Sequence, residues 1–160
     1  MKPNEILSRQ TNDAYNWTNK LINSVSYDKC DNVPRLIETS VSWQVGHLIV
    51  SLYYHSIMVI VGHHFFTTGS PKNAIGKARP EGRNHLTMIQ KRSTEVVDSL
   101  CLDDLQSSLH PTEIPHPIAK NKFEALDWNI KHTMWHCGQL GILMRIGGER
   151  FDFGLRREQS

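Results

Sequence analysis

Two histidines four residues apart, His132 and His136, stand in the stretch Asn129-Ile130-Lys131-His132-Thr133-Met134-Trp135-His136-Cys137-Gly138-Gln139. On an α-helix this spacing is a rotation of about 40° and a rise of about 6 Å, so both imidazoles lie on one face. Two rings placed this way can grip one metal ion. Two ligands make a weak site, and a third must come from another segment. His47, in Trp43-Gln44-Val45-Gly46-His47-Leu48, is the best-placed candidate. Three neutral imidazoles leave coordination positions open, as catalytic zinc sites do, whereas structural sites are closed by four ligands and rich in Cys. An open ion lowers the pKa of a bound water or thiol and polarises a carbonyl. The competing reading of the spacing alone is a surface or pocket pair that holds no ion. The helical metalloprotease motif is excluded, because Thr133 stands where that motif needs a general-base Glu.

Other polar residues near these positions have weaker claims. Gln139 and Asn129, each about a turn from a histidine, either steady a ligand or face a neighbouring helix. Tyr54 is a proton donor or a core tyrosine with a bonded hydroxyl. Cys137 points away from His136 and reads as a small buried hydrophobe. His55 is two turns past His47 and rotated by about 80° on a regular helix, which excludes it as a ligand. His63 and His64 either bind metal incidentally or, as is commoner at a helix end, complement the dipole or face solvent. His85, His110 and His116 belong to no constellation.

The elements that must position the trio follow from apolar periodicity and punctuation. Four helices are expected, over about 4–24, 40–62, 84–100 and 122–146. Asn4, Thr39 or Ser40, and Asn121 are candidate N-caps, Asn121 with Glu124 resembling a capping box. Gly62 and Gly147-Gly148 are stops. The second segment is apolar over most of its circumference, as a central helix is. Its most apolar run, Leu48 to Val61, is too short for a membrane span and is interrupted by Ser51, His55 and Ser56. From His63 to Arg83 the helical pattern breaks at Gly69-Ser70-Pro71, Gly76 and Pro80-Glu81-Gly82. This basic crossover, with Lys72, Lys77, Arg79 and Arg83 against Glu81, is a solvated loop or a rim that steers anions. Residues 101–120 read as a second loop, and Phe151-Asp152-Phe153-Gly154 as a tail packing back on the bundle. The predicted fold is all-α: a four-helix bundle in a single domain, 1–160, with a long crossover between helices 2 and 3.

At 160 residues the chain can bury a real core without staples. A net charge of +2 shows no electrostatic commitment to nucleic acid or membrane. Three cysteines without a CxxC fit free thiols in a reducing cytoplasm. Nine histidines are the compositional oddity. Trp17, Trp128 and Trp135 cannot all face one narrow core, which predicts a homodimer. Metal affinity is expected to fall below about pH 6.5, where imidazoles protonate.

Trp43-Gln44-Val45-Gly46-His47-Leu48 on the second helix, with His132-x-x-x-His136-x-Gly138-Gln139 on the fourth, resembles the DinB/YfiT-like metal-binding four-helix bundles. The similarity covers essentially the whole chain in length, helix number, the long second connection and motif order. It implies a divalent metal, nickel or zinc, held by His47, His132 and His136, and a homodimer. It also implies either a metal-dependent enzyme on a small molecule, such as a transferase or isomerase using a low-molecular-weight thiol or a hydrolase-like metalloenzyme, or a non-catalytic metal or small-ligand binding bundle. Neither nucleic acid nor membrane is an expected partner. No motif names the thiol, the substrate or a catalytic residue.

Overall fold

In the computed structural model, which describes residues 2–35, 37–62 and 78–148, each of the four periodic stretches forms a helix. We name them α1 (Pro3–Ser24), α2 (Val41–Val61), α3 (Pro80–Ser99) and α5 (Lys122–Ile146); α4 is a short helix, Leu102–Gln106. No strand occurs among the described residues, so the all-α bundle is as expected. Helix α1 packs on α3 and α5, and α2 packs on the same two. Leu21, Ile22, Leu48, Leu52, Ile60, Leu86, Leu126 and Leu140 are fully buried where these faces meet. Each such side chain contributes about 1.5–3 kcal/mol relative to exposure.

Helix α2 is apolar and long enough to cross a membrane, but 72% of its most apolar window is buried inside the bundle. It is the central helix. Its start is set by Ser40, whose Oγ accepts the Trp43 N–H at 3.1 Å, and its end by Gly62 in the left-handed region at φ 73°. A Cβ at Gly62 would lie 2.6 Å from the His110 ring, and the His110 N–H donates to the Val59 carbonyl at 2.8 Å. Between these ends α2 is irregular: Tyr54–Met58 form a π-helical turn. At the other site-bearing helix, Asn121 Oδ1 caps the Glu124 N–H at 2.9 Å, and the Glu124 carboxylate returns to the Lys120 N–H at 2.7 Å.

Three boundaries differ from the sequence reading. Asn4 does not cap α1: Pro3, pre-set for a first helical position, moves the cap to Lys2, whose N–H meets Glu5 Oε2 at 2.8 Å. Pro80 does the same for α3, which starts four residues before Asn84 and tolerates Gly82 inside its first turn. Residues 101–120 are not all loop, because Asp104 accepts the Cys101 N–H at 2.8 Å and closes the turn that starts α4.

The basic crossover is revised in part. Arg83 belongs to α3 and is spent on structure. It donates to the carbonyls of Ala78 and Val25, approaches Cys30 Sγ at 3.2 Å and covers the Tyr27 ring at 4.5 Å. Its guanidinium is held in place by these contacts. Arg79 is exposed, 3.9 Å from Asp31. Lys72, Lys77, His63, His64 and the 151–154 tail lie outside the described residues.

Candidate metal centre

Helices α2 and α5 pack side by side and bring His47 against His132 and His136. One nitrogen from each ring falls within 4.8 Å of the other two. His132 Nε2 is the hub, 3.3 Å from His47 Nε2 and 3.1 Å from His136 Nε2. No carboxylate joins the cluster among the described residues.

The surroundings hold the rings in place. Trp43 stacks on His47 with centroids 5.0 Å apart and planes 4° apart. Trp128 stacks on His132 at 6.1 Å and 22°. Each tryptophan precedes its histidine by four residues, so one helical turn supplies both ligand candidate and support. This repeated Trp-x-x-x-His spacing was a readable signal that the sequence reading missed. His136 is held differently: its Nδ1–H donates to Gln44 Oε1, and Gln44 Nε2 donates to Thr39 Oγ1 at 3.1 Å. A neutral imidazole carries one proton. Gln44 therefore leaves His136 Nε2 as a lone pair facing the other two rings. His132 Nδ1 is buried without a hydrogen-bond partner among the described residues.

Burial lowers the pKa of all three rings. His132 and His136 fall to about 4, through desolvation first and then the neighbouring imidazoles, and His47 falls through desolvation. Gln139 pulls weakly the other way on His136. Gln139 Oε1 is buried with no geometric hydrogen-bond partner among the described residues. At neutral pH the cluster is three uncharged donors, the state in which imidazoles ligate metals.

The remaining sequence candidates separate cleanly. Asn129 steadies no ligand; its Nδ2 donates to Tyr15 Oη at 2.9 Å, within a core network that includes Ser93. Tyr54 Oη is committed to the Ile114 carbonyl at 2.7 Å. Cys137 is buried 3.0 Å from Thr18 Oγ1, and burial raises its thiol pKa. His55 is not one of the three grouped rings. It does lie beside them, with its centroid 5.6 Å from that of His132, and burial with its neighbours lowers its pKa to about 3. The rotation of about 80° from His47 leaves His55 outside the group, yet its ring still reaches the edge of His132. His116 was assigned no constellation, yet its Nε2 lies 2.9 Å from His55 Nδ1.

A sequence profile of the DinB superfamily matches residues 10–140. The chain belongs to the DinB superfamily. The fold is also similar to the crystal structure of the DinB-like protein YjoA from Bacillus subtilis, with a TM-score of 0.68 and 18% identity over 94% of this chain and 99% of that one. No curated protein matches the sequence.

Proposed function

We propose that this DinB-superfamily protein binds a divalent metal ion, zinc or nickel, through Nε2 of His47, His132 and His136, and uses it as an enzyme on a small molecule. One observation carries the metal reading. His132 Nε2 lies within hydrogen-bond distance of two other Nε2 atoms, but one imidazole nitrogen cannot satisfy both with a single proton. A cation accepts all three lone pairs at once. The donor set fits zinc and nickel, which favour imidazole. A bound ion would supply a Lewis acid that acidifies a coordinated water or thiol. The chain's own contribution is to hold the rings: Gln44 fixes the His136 tautomer, while Trp43 and Trp128 cover two faces.

The finer reading, a transferase or isomerase dependent on a low-molecular-weight thiol, rests on the family resemblance and on open coordination positions able to take a thiolate. A non-catalytic metal or small-ligand binding bundle is the second reading, favoured by the absence of a carboxylate from the cluster among the described residues. Free Cys30, Cys101 and Cys137 suit a reducing cytoplasm.

A homodimer through α1 and α5 completes the proposal. Met134, Trp135, Ile142 and Ile146 are exposed on α5. Met134 and Ile142 line an apolar groove of about 440 Å³ that reaches Trp17 and Leu21 of α1. Trp128 is drawn to His132, so the expected interface loses that tryptophan and keeps Trp135, which is 63% exposed.

The test is elemental analysis of untagged protein, with melting measured with and without chelator. His47→Ala, His132→Ala and His136→Ala should each lose tight metal binding and chelator-sensitive stabilisation while remaining folded. Full occupancy in His47→Ala would refute the three-histidine site. Turnover across a panel of thiols and electrophiles then separates enzyme from binding bundle.

A further inference from the structure

His55 and His116 form a second imidazole pair at the edge of the trio, and the backbone decides where their protons sit. His116 Nδ1 accepts the Ala119 N–H at 2.9 Å and the Ile118 N–H at 3.3 Å. An acceptor nitrogen carries no proton, so the proton of the neutral His116 ring is on Nε2. That Nε2–H points at His55 Nδ1, 2.9 Å away. His55 Nδ1 is thereby the acceptor, and the proton of the neutral His55 ring is on Nε2. Two main-chain amides, acting through two rings, choose which nitrogen of His55 is the donor.

The same logic removes His116 Nε2 as a metal ligand. Ligation would need its lone pair and would move the proton to Nδ1, against two incoming N–H groups. The pair is held firmly: Tyr54 stacks on His116 with centroids 5.8 Å apart, and its hydroxyl anchors the same loop at Ile114. His55 is 8% exposed and sits edge-on to His132. Among the described residues no hydrogen bond engages its Nε2–H.

We infer that His55 is a preset hydrogen-bond donor for an anionic ligand atom, such as a thiolate, hydroxide or carboxylate oxygen, bound at the open face of the three-histidine centre, and that His116 is its positioning residue. The inference rests on the metal reading proposed above. An anion on the ion keeps lone pairs that need donors. The three ligand rings cannot supply them, because their Nε2 atoms face the ion. His55, whose ring packs against His132 with centroids 5.6 Å apart, is the neighbouring ring that carries a free N–H, and a charge-assisted bond of this kind is stronger than a neutral one.

Azide titrated into cobalt-loaded protein tests this, read by the visible cobalt spectrum and by calorimetry. Wild type, His55→Phe, His55→Gln and His116→Phe should bind cobalt alike. His55→Phe should bind azide about 10- to 100-fold more weakly, the loss expected for a hydrogen bond to a charged group. His55→Gln, which keeps an N–H donor, should recover most of that affinity. His116→Phe should show an intermediate loss, because His55 is then free to place its proton on either nitrogen. Azide affinity within twofold of wild type in His55→Phe overturns the inference and leaves the metal reading intact. A parallel fall in cobalt affinity also overturns it, since His55 would then be a ligand. Wild-type protein that takes up no cobalt refutes the metal reading itself and removes the basis of the inference. Should His55→Phe not fold, wild-type azide affinity in His116→Phe overturns the inference instead.

Discussion

Replacing Gln44 gives the sharpest test of how the helices prepare His136. Gln44 is 1% exposed and spends its amide on His136 Nδ1 and on Thr39. Gln44→Leu keeps nearly the same volume and deletes both bonds. In the metal-free protein, the orphaned buried donor should cost about 1–3 kcal/mol of stability. His136 also loses the bond that keeps its proton on Nδ1, so its Nε2 lone pair is no longer guaranteed. Loss of such a supporting bond weakens metal binding by about 10- to 100-fold, or about 1.4–2.8 kcal/mol. Gln44→Glu keeps an acceptor at the same place and makes the ring more basic, so its zinc affinity should match or exceed wild type. Competition against a chromophoric chelator reads the affinities, and melting in chelator and in excess zinc reads both stability effects. Zinc affinity within twofold of wild type in Gln44→Leu, or Gln44→Glu as weak as Gln44→Leu, would refute the tautomer argument.

The lowered histidine pKa values set two pH windows. In the metal-free protein, folded His132 and His136 at about 4 bind fewer protons than the unfolded chain, where histidines titrate near about 6.5. Stability from these groups is therefore complete above about 6.5, falls as pH drops toward 4 and levels off below; denaturant melts in chelator that stay flat across that window would contradict this. Metal should correspondingly be retained well below the pH 6.5 expected from free imidazole, and half-release near 6.5 in a zinc titration would show that the rings are not desolvated. Arg83→Met should lower stability by about 2 kcal/mol through the lost charge-assisted bonds to main-chain carbonyls, and urea melts that match wild type would contradict this. Trp135→Lys should shift light-scattering mass from dimer to monomer without changing metal content, and an unchanged mass would place the interface elsewhere.

The bundle was legible because Leu, Ile and Val recur at helical spacing and because Ser40, Gly62 and Asn121 punctuate the chain as caps and stops. The trio was legible because i,i+4 geometry survives on any regular helix. What escaped depended on local irregularity or on distance. The start of α3 was hidden because Pro80-Glu81-Gly82 reads as a breaker until Pro80 is placed at a first helical position. His55 was excluded as a ligand and is not among the three grouped rings, but its closeness to His132 was not foreseen, because that ring comes from another helix. His116 lies 61 residues from His55 and is brought to it only by a loop fold. Gln44 was on the expected face, but its link to His136 crosses two helices and has no pattern along the chain. Arg83 looked like surface charge because its carbonyl partners carry no sequence signal.

Gly62 makes the far end of α2 a control point for chemistry it never touches. Any L-residue there pays the left-handed penalty and lands on the His110 ring. The segment held down at His110 continues through Ile114 to His116. A substitution at Gly62 is expected to displace the His110 ring, and with it the segment that carries His116 and its bonds to the amides of Ile118 and Ala119. The damage would surface as a proton on the wrong nitrogen of His55, in a protein whose three clustered histidine rings and core were all still in place.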